Sequence, residues 1–449
     1  METNLIIGHT TSTSAKIWTR GDGSAGGMLE VLTDQEQRLG EYPLDFDGLK
    51  ANSCTVEVVH LAPETTYRVR LRIKGELVGS GRFKTFPNTD SDNGFSFMFS
   101  SCLLNRGYVP SKDKVFQNLQ KISEATKARF MLHCGDQIYI DTTDKSAPSP
   151  PLFDHYLSEY EKNWSLPGAA EFLASNVNYM ILDDHEIKND FDNSTLGLEK
   201  YRTLGLDAYE AFQHDHNPDT SDNAYFYSFH YGSVAFFVMD TRAERNSAEG
   251  YMLSDAQEKA FLHWLDANAS RLKVVVSGVP FIIQVSERVL SREDQWGGKA
   301  FAEQRKKLNA AMLEKGARNL FFITGDVHSA VHWTQVLTNT ATNEEVMHHE
   351  FMAGPLGQVN VNGRWAFVRK GKHTHVHEAE GASWPTEGYS YGYKRKNIYH
   401  KQFNACVICI SSRQDKYEIK ATWYGLQTPL NRKHPKQVMQ SEISLPKPM

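Results

Sequence analysis

Three apolar runs in this chain end in the same kinds of residue. RFMLHCGDQIY carries hydrophobic side chains into Gly135 and Asp136, with Tyr139 just beyond. NYMILDDHEIKND carries them into Asp183, Asp184 and His185, with Asn189 following. FFITGDVHSA carries them into Gly325, Asp326 and His328, and a fourth run, GFSFMFSSC, stops at Cys102. A Gly-Asp turn explains any one such ending without function. DDHE is also an acidic helix start, Asn189 a natural C-cap, Cys102 a small buried hydrophobe and Tyr139 a strand aromatic. Together they say more. Carboxylates gathered in one partly buried site repel each other and raise one another's pKa, and bound cations remove that repulsion. Acid, imidazole, thiolate and phenolate in one place are metal-ligand chemistry before they are acid–base chemistry.

Such a site needs strands that end at one edge, and the sequence supplies them. Strands alternate with helices after residue 94. GFSFMFSSC, RFMLHC, VAFFVMD and LKVVVSGVPF read as strands, the last two apolar enough to be buried on both faces. KDKVFQNLQKISEATK places Val115, Phe116, Leu119 and Ile122 on one helical face. Ser254 and Gln257 form a capping box ahead of a helix carrying Phe261, Leu262 and Leu265, and FAEQRKKLNAAMLEKG is a further amphipathic helix. This is an α/β pattern, in which ligands gather where strands end. Residues 1–87 differ. SAKIWTR and TTYRVRLRI alternate, with Tyr67, Val69, Leu71 and Ile73 on one face, and the region reads as a small all-β sandwich of the immunoglobulin or fibronectin kind. The polar stretch FPNTDSDNG, residues 86–94, is the expected boundary with a catalytic domain over 88–449. TTDKSAPSPP reads as a loop, and ACVICI and YEIKATWYG as late strands.

Composition narrows the classes. With 449 residues, 40% apolar side chains and 23% charged, the chain is long enough for two or three domains with sizeable cores. A net charge of -5 gives no basic face for nucleic acid. No apolar run is long enough to span a membrane. METNLIIGHTTSTS has neither a basic, apolar leader nor a twin-arginine pair, so the expected location is the cytoplasm, unless a removed signal exports the protein. Five cysteines suit a reduced compartment, and Cys406 and Cys409, a lone CxxC inside a strand, read as buried structural residues.

The segments SSC, GDQIY, DDHE and GDVHS, each after an apolar run, resemble the PhoD-like alkaline phosphatase/phosphodiesterase branch of the metallophosphoesterases. LAPETTYRVRL…GRFKTFP, YFYSFHYGSVAFFVMDTR and SREDQWGG extend the resemblance over nearly the whole chain. It implies a four-layer α/β/β/α sandwich with a metal centre on the open sheet edges, holding Fe(III) with Ca2+, or another divalent ion such as Zn2+ or Mn2+. Carried over by motif, Cys102 and Tyr139 ligate the iron and Asp136 bridges to its neighbour. Asp184, Asn189, Asp326 and His328 complete the shells. A metal-activated water then attacks the phosphorus of a monoester or diester, with His185 beside the leaving oxygen. The partner implied is a phosphate-ester small molecule or polymer. Many relatives carry a twin-arginine signal, and this chain shows none.

Two other classes compete. A cysteine hydrolase would pair Cys102 with His185, surviving chelation and dying on alkylation. A degenerate, non-catalytic phosphoester-binding protein would have no need of so many convergent acids. Arg242, at the end of MDTR, is a candidate phosphate clamp, with a structural salt bridge as its alternative. Asp183 is a candidate for orienting His185 rather than for binding metal. The histidines of HTHVHE (His373, His375, His377) read as a solvated loop, and the aromatics between Trp384 and Tyr399 as a substrate wall or a packed lid.

Overall fold

The computed structural model describes residues 5–447 except 22, 24–25, 47, 49–50, 105–111, 142–148, 150, 222–223, 283–294, 358–367, 370–371, 374–382, 386–388, 400–402 and 427–434. Most of the TTDKSAPSPP loop, the HTHVHE histidine side chains, the SRED segment and the aromatic side chains of 384–399 lie outside the described residues.

Two sheets face each other. One has nine strands in the order Lys436–Pro446, Lys416–Gly425, Asn404–Ser412, Phe95–Ser100, Ala128–His133, Val177–Met180, Leu5–Thr10, Ala15–Arg20, Ser53–Val58. The other has eight, built around Tyr227–Tyr231, Val234–Val238, Leu272–Ser277, Leu320–Thr324, Glu345–Met352 and Ala330–Asn339. Side-chain alternation decides what each face meets. Phe97, Phe130 and Tyr179 point inward and join Phe229, Phe236 and Phe321 in one core. Tyr179 stacks on Phe229 with ring centroids 4.0 Å apart, and Phe130 meets Phe236 edge-on at 5.5 Å. Such pairs add about 0.5–1.5 kcal/mol each beyond the area they bury.

The intervening residues point outward and are covered by helices. Met98, Met131 and Met180 pack under Lys112–Thr126, Phe153–Trp164 and Pro167–Ser175 through Phe116, Leu119, Tyr160 and Phe172. On the opposite flank Phe237, Val275 and Phe322 meet Asp255–Ala267 and Ala302–Glu314 through Phe261, Trp264, Leu308 and Met312. The result is the expected α/β/β/α sandwich. Val234–Val238 and Leu272–Ser277 are buried throughout, as their unbroken apolar runs require. Only half of the expected capping box forms. Ser254 accepts the Gln257 backbone N–H, but the Gln257 side chain turns away to clamp both backbone groups of Asp240.

Residues 5–84 are all-β, and their strands divide between two sheets. Gly27–Thr33, Arg38–Leu44, Thr66–Ile73 and Glu76–Lys84 form a four-stranded sheet, with Tyr67, Val69 and Leu71 buried as their alternation predicts. Leu5–Thr10, Ala15–Arg20 and Ser53–Val58 instead extend the nine-stranded sheet, Ile7 pairing in parallel with Val177. Hydrogen bonding therefore crosses the 86–94 segment. Among the described residues, no helix is long and apolar enough to cross a membrane.

Among the histidines deep in this scaffold are His133, His216 and His348, all essentially inaccessible. Burial holds the imidazoles of His133 and His348 down to about 4, and burial with the neighbouring His133 takes His216 to about 3. Unfolded, each returns to about 6.5, so below that pH the unfolded chain binds more protons than the folded one. Their stabilising contribution is complete above about pH 6.5 and lost as pH falls toward 4. The urea midpoint is expected to drop steadily between pH 6.5 and 4, and His348→Leu to flatten that slope.

Candidate metal centre

Register brings the four motifs together. Ser100, His133 and Met180 sit level on adjacent parallel strands of one sheet. The loops leaving them carry Cys102, Asp136 and the Asp183–Glu186 turn. In the facing sheet Val238 is level with Val276, and Ser277 with Thr324, again on parallel strands. Arg242, Asp326 and His328 leave from that edge. Both sheets thus present their carboxyl ends to one place, where side chains in an open α/β sheet converge on ligands.

The turns are tight and bent. Cys102, Asp136, Asp326 and His328 all adopt left-handed backbone, with φ of 64°, 58°, 63° and 52°. Non-glycine residues there cost on the order of 1–3 kcal/mol each, a strain that clusters at functional sites. The Gly-Asp glycines allow the close approach. A Cβ on Gly135 would lie 2.3 Å from that of Asp183, and one on Gly325 would lie 2.5 Å from the Cys134 carbonyl oxygen.

Among the described residues three groups of potential metal-ligand atoms result, each with its atoms within 4.8 Å of one another: Cys102, Asp136 and His328; Asp136, Asp184 and His185; Asp183, Asp184 and Asp326. Asp136 and Asp184 each belong to two groups, so the three run together. The Tyr139 hydroxyl donates to Asp136 Oδ2 at 2.9 Å, placing a phenol at the thiol end. The other end is entirely carboxylate. Asn189 is not drawn in as far. It is exposed, and its backbone N–H donates to Asp141.

Electrostatics shows what the cluster lacks. Burial and then the Asp184 charge push Asp136 well above the carboxylate range. For Asp184 burial opposes ionisation, yet His185 and Arg242 outweigh it and hold the group below that range. Burial followed by Asp136 also raises the Cys102 thiol and the Tyr139 phenol. Burial likewise disfavours charge on His185, but Asp184, Asp136 and Asp141 together lift it well above the usual imidazole. His328 goes the other way, held neutral near 4 by burial and by His185, as a ligand imidazole must be. Asp184 Oδ1 is buried with no hydrogen-bond donor. A cation fits all of these at once. Bound here, it would separate the paired acids, ionise the thiol and phenol, and satisfy Asp184. Thiolate and phenolate at one end suit a transition metal, and all-carboxylate oxygen at the other suits a calcium-like ion.

Arg242 and Asp183 take places the sequence left open. Arg242 is fully buried, its Nε donating to Asp183 Oδ1 and its Nη2 lying 3.9 Å from Asp184. Asp183 thus engages Arg242, and the carboxylate at His185 Nδ1 is that of Asp141. Two further carboxylates beside the cluster escaped the sequence reading. Glu186 is completely buried and accepts the backbone N–H groups of Asp136 (3.1 Å), Asp183 (3.1 Å) and Gln137 (2.5 Å), tying two ligand loops together. Asp141 takes the His185 Nδ1 at 2.8 Å. For Glu186 the signal was the last letter of DDHE, and for Asp141 a second acid in GDQIYID. Neither is readable until the partner loop is in place. Arg242→Met is expected to strand the Asp183 carboxylate in the interior and lower stability by about 3–5 kcal/mol, measured by urea unfolding.

A search of curated proteins finds no match to this chain. Among solved structures the chain is similar to PhoD, with a TM-score of 0.74 at 16% identity, covering 99% of this chain and 90% of that one. It is also similar to a purple acid phosphatase from seeds of yellow lupin (Lupinus luteus), with a TM-score of 0.60 at 12% identity, covering 98% of this chain and 74% of that one. Identities this low speak for the fold. The family evidence is separate: residues 97–406, well over half the chain, match the model of the PhoD-like phosphatases. All four strand-end motifs lie inside that span. The chain belongs to the PhoD-like phosphatase family, whose general chemistry is phosphoester hydrolysis.

Proposed function

We propose that this protein is a metal-dependent phosphomonoesterase and phosphodiesterase of the alkaline-phosphatase-D kind, with Fe(III) at the Cys102 end and Ca2+ at the Asp183–Asp184–Asp326 end. The observation that carries this reading is that Asp136 and Asp184 chain three ligand groups together, one end holding thiolate and imidazole and the other purely carboxylate. Cys102, Tyr139, Asp136 and His328 would hold the iron, while Asp184, Asp326 and Asp183 would hold the harder ion, with Asn189 at the rim. When bound, such ions supply Lewis acidity toward phosphoryl oxygens and a water acidic enough to attack phosphorus at neutral pH.

The chain's own residues do the rest. A ring nitrogen of His185 lies within 4.8 Å of carboxylate oxygens of Asp136 and Asp184, which would set it beside an ester held at that centre. There it donates a proton or hydrogen bond to the leaving oxygen. Arg242 acts from beneath, through Asp183, holding the carboxylates in place. Phosphate-ester hydrolysis needs accelerations of up to ~10²¹-fold, beyond one imidazole, which is why the ion-binding set is central.

The cysteine-hydrolase alternative fits less well. Cys102 Sγ is hydrogen-bonded with Ser101 Oγ and the Asp326 carbonyl oxygen, and burial with the neighbouring Asp136 raises the thiol rather than activating it. Metal analysis of protein purified without chelator or His-tag chromatography separates the readings. The wild type is expected to carry iron and calcium and to hydrolyse p-nitrophenyl phosphate and bis-p-nitrophenyl phosphate, losing both activities after extended EDTA treatment. Cys102→Ser is expected to lose iron and keep calcium. Unchanged iron in that variant overturns the ligand assignment, and activity that survives EDTA but not alkylation favours the cysteine mechanism.

A further inference from the structure

Arg242 is placed more firmly than a simple salt bridge requires. Its backbone N–H and that of Ala243 both donate to Asp240 Oδ1 at 2.9 Å. Asp240 is itself clamped at its backbone N–H and carbonyl by the Gln257 side chain, each at 2.9 Å. The Arg242 side chain is completely buried, its Nε donates to Asp183 Oδ1, and its Nη2 lies 3.9 Å from Asp184 Oδ1. That Asp184 oxygen is buried and has no hydrogen-bond donor. Asp183 and Asp184 are two of the three acids whose oxygens gather, with those of Asp326, at the carboxylate end. A guanidinium keeps its charge in proteins. Arg242 thus delivers one permanent positive charge between two of these acids, from a backbone that is pinned.

We propose that the Arg242 guanidinium is a built-in cation standing where a divalent ion would otherwise bind: it fills the place between Asp183 and Asp184 and holds the carboxylate end to one ion fewer than its acids could take. The proposal rests on the reading of that end as the seat of a calcium-like ion, and refines it. Three carboxylates in mutual reach bring three negative charges, and calcium-like ions are held by such oxygens. With Arg242 in place, Asp183 Oδ1 has a charged donor and Asp184 a positive neighbour, so part of that demand is met from within. Removing the guanidinium reverses this. A buried carboxylate stripped of its partner is strongly destabilising. A divalent ion with its waters is the replacement of matching chemistry, since the acids supply oxygen ligands and the vacated side-chain volume supplies room. Arg245 and His185, which also bear on Asp184, stay in place, so the gain is one ion rather than several.

Calcium stoichiometry tests this without reference to turnover. Metal-loaded wild type, Arg242→Ala and Arg242→Lys are dialysed against CaCl2 from about 0.1 to 10 mM, bracketing the weaker protein calcium sites. Bound Ca2+ and iron are then counted per chain. Arg242→Ala is expected to hold one Ca2+ more than wild type with its iron unchanged, and its melting temperature to climb more steeply with CaCl2. Arg242→Lys, which keeps a positive charge, is expected to gain none. If the alanine variant does not fold as produced, refolding carries the comparison: recovery in CaCl2 but not in KCl of equal ionic strength supports the proposal, and failure in both overturns it. Equal Ca2+ in wild type and Arg242→Ala overturns the role of Arg242 and leaves the calcium reading standing. An extra Ca2+ in Arg242→Lys as well shows that space rather than charge decides, and overturns it too. No Ca2+ in wild type but one in Arg242→Ala upholds the role of Arg242 and removes calcium from this end of the native site. No Ca2+ in either overturns both.

Discussion

The constraint on which this structure turns is the repulsion among acids crowded at one sheet edge. Asp136, Asp183, Asp184 and Asp326 are all buried or nearly so, and three of them lie with ligand atoms within 4.8 Å of one another. At an effective dielectric constant near 20, two unit charges about 4 Å apart repel by roughly 4 kcal/mol. The protein answers part of this itself. Arg242, with no exposure at all, reaches from the facing sheet to Asp183 and lies near Asp184. Arg242, Arg245 and the raised His185 offset only part of four crowded carboxylates, and the remaining deficit suits the site to a cation.

The rest of the fold keeps those groups from relaxing apart. Parallel strands of equal reach deliver the loops to one level, and the aromatic layer between the sheets fixes their separation. Glu186 stitches the Gly135–Gln137 loop to the Asp183 turn through backbone donors, so two loops move as one. Four candidate ligands are then held in left-handed backbone. A surface loop would release that strain. Here the buried surroundings over-determine the conformation, so the loops are pre-set for ligation.

Much of this was legible along the chain. Helices and buried strands followed from periodicity, since one face of each must meet a core, and the gathering of candidate ligand residues followed from polar residues placed where apolar runs stop. Arg242 was visible as a strand-end cation, with clamp and salt bridge left open; the structure engages it with Asp183. The N-terminal strands were readable as strands, but alternation says nothing about which sheet they join. Gln257 illustrates the same limit on a small scale. Its spacing from Ser254 suggested a capping box, and tertiary contact with Asp240 took the side chain instead.

The sequence by itself determined which residues end each strand, which faces are apolar and which donor types are available to a metal, because these depend on neighbours along the chain. Tertiary structure alone decided that Asp141 faces His185, that Glu186 holds a loop it does not belong to, and that Leu5–Thr10 lines up beside Val177–Met180. Those pairings join residues tens of positions or more apart. Their energies depend on distance and burial in three dimensions, and no local pattern of residue types encodes either.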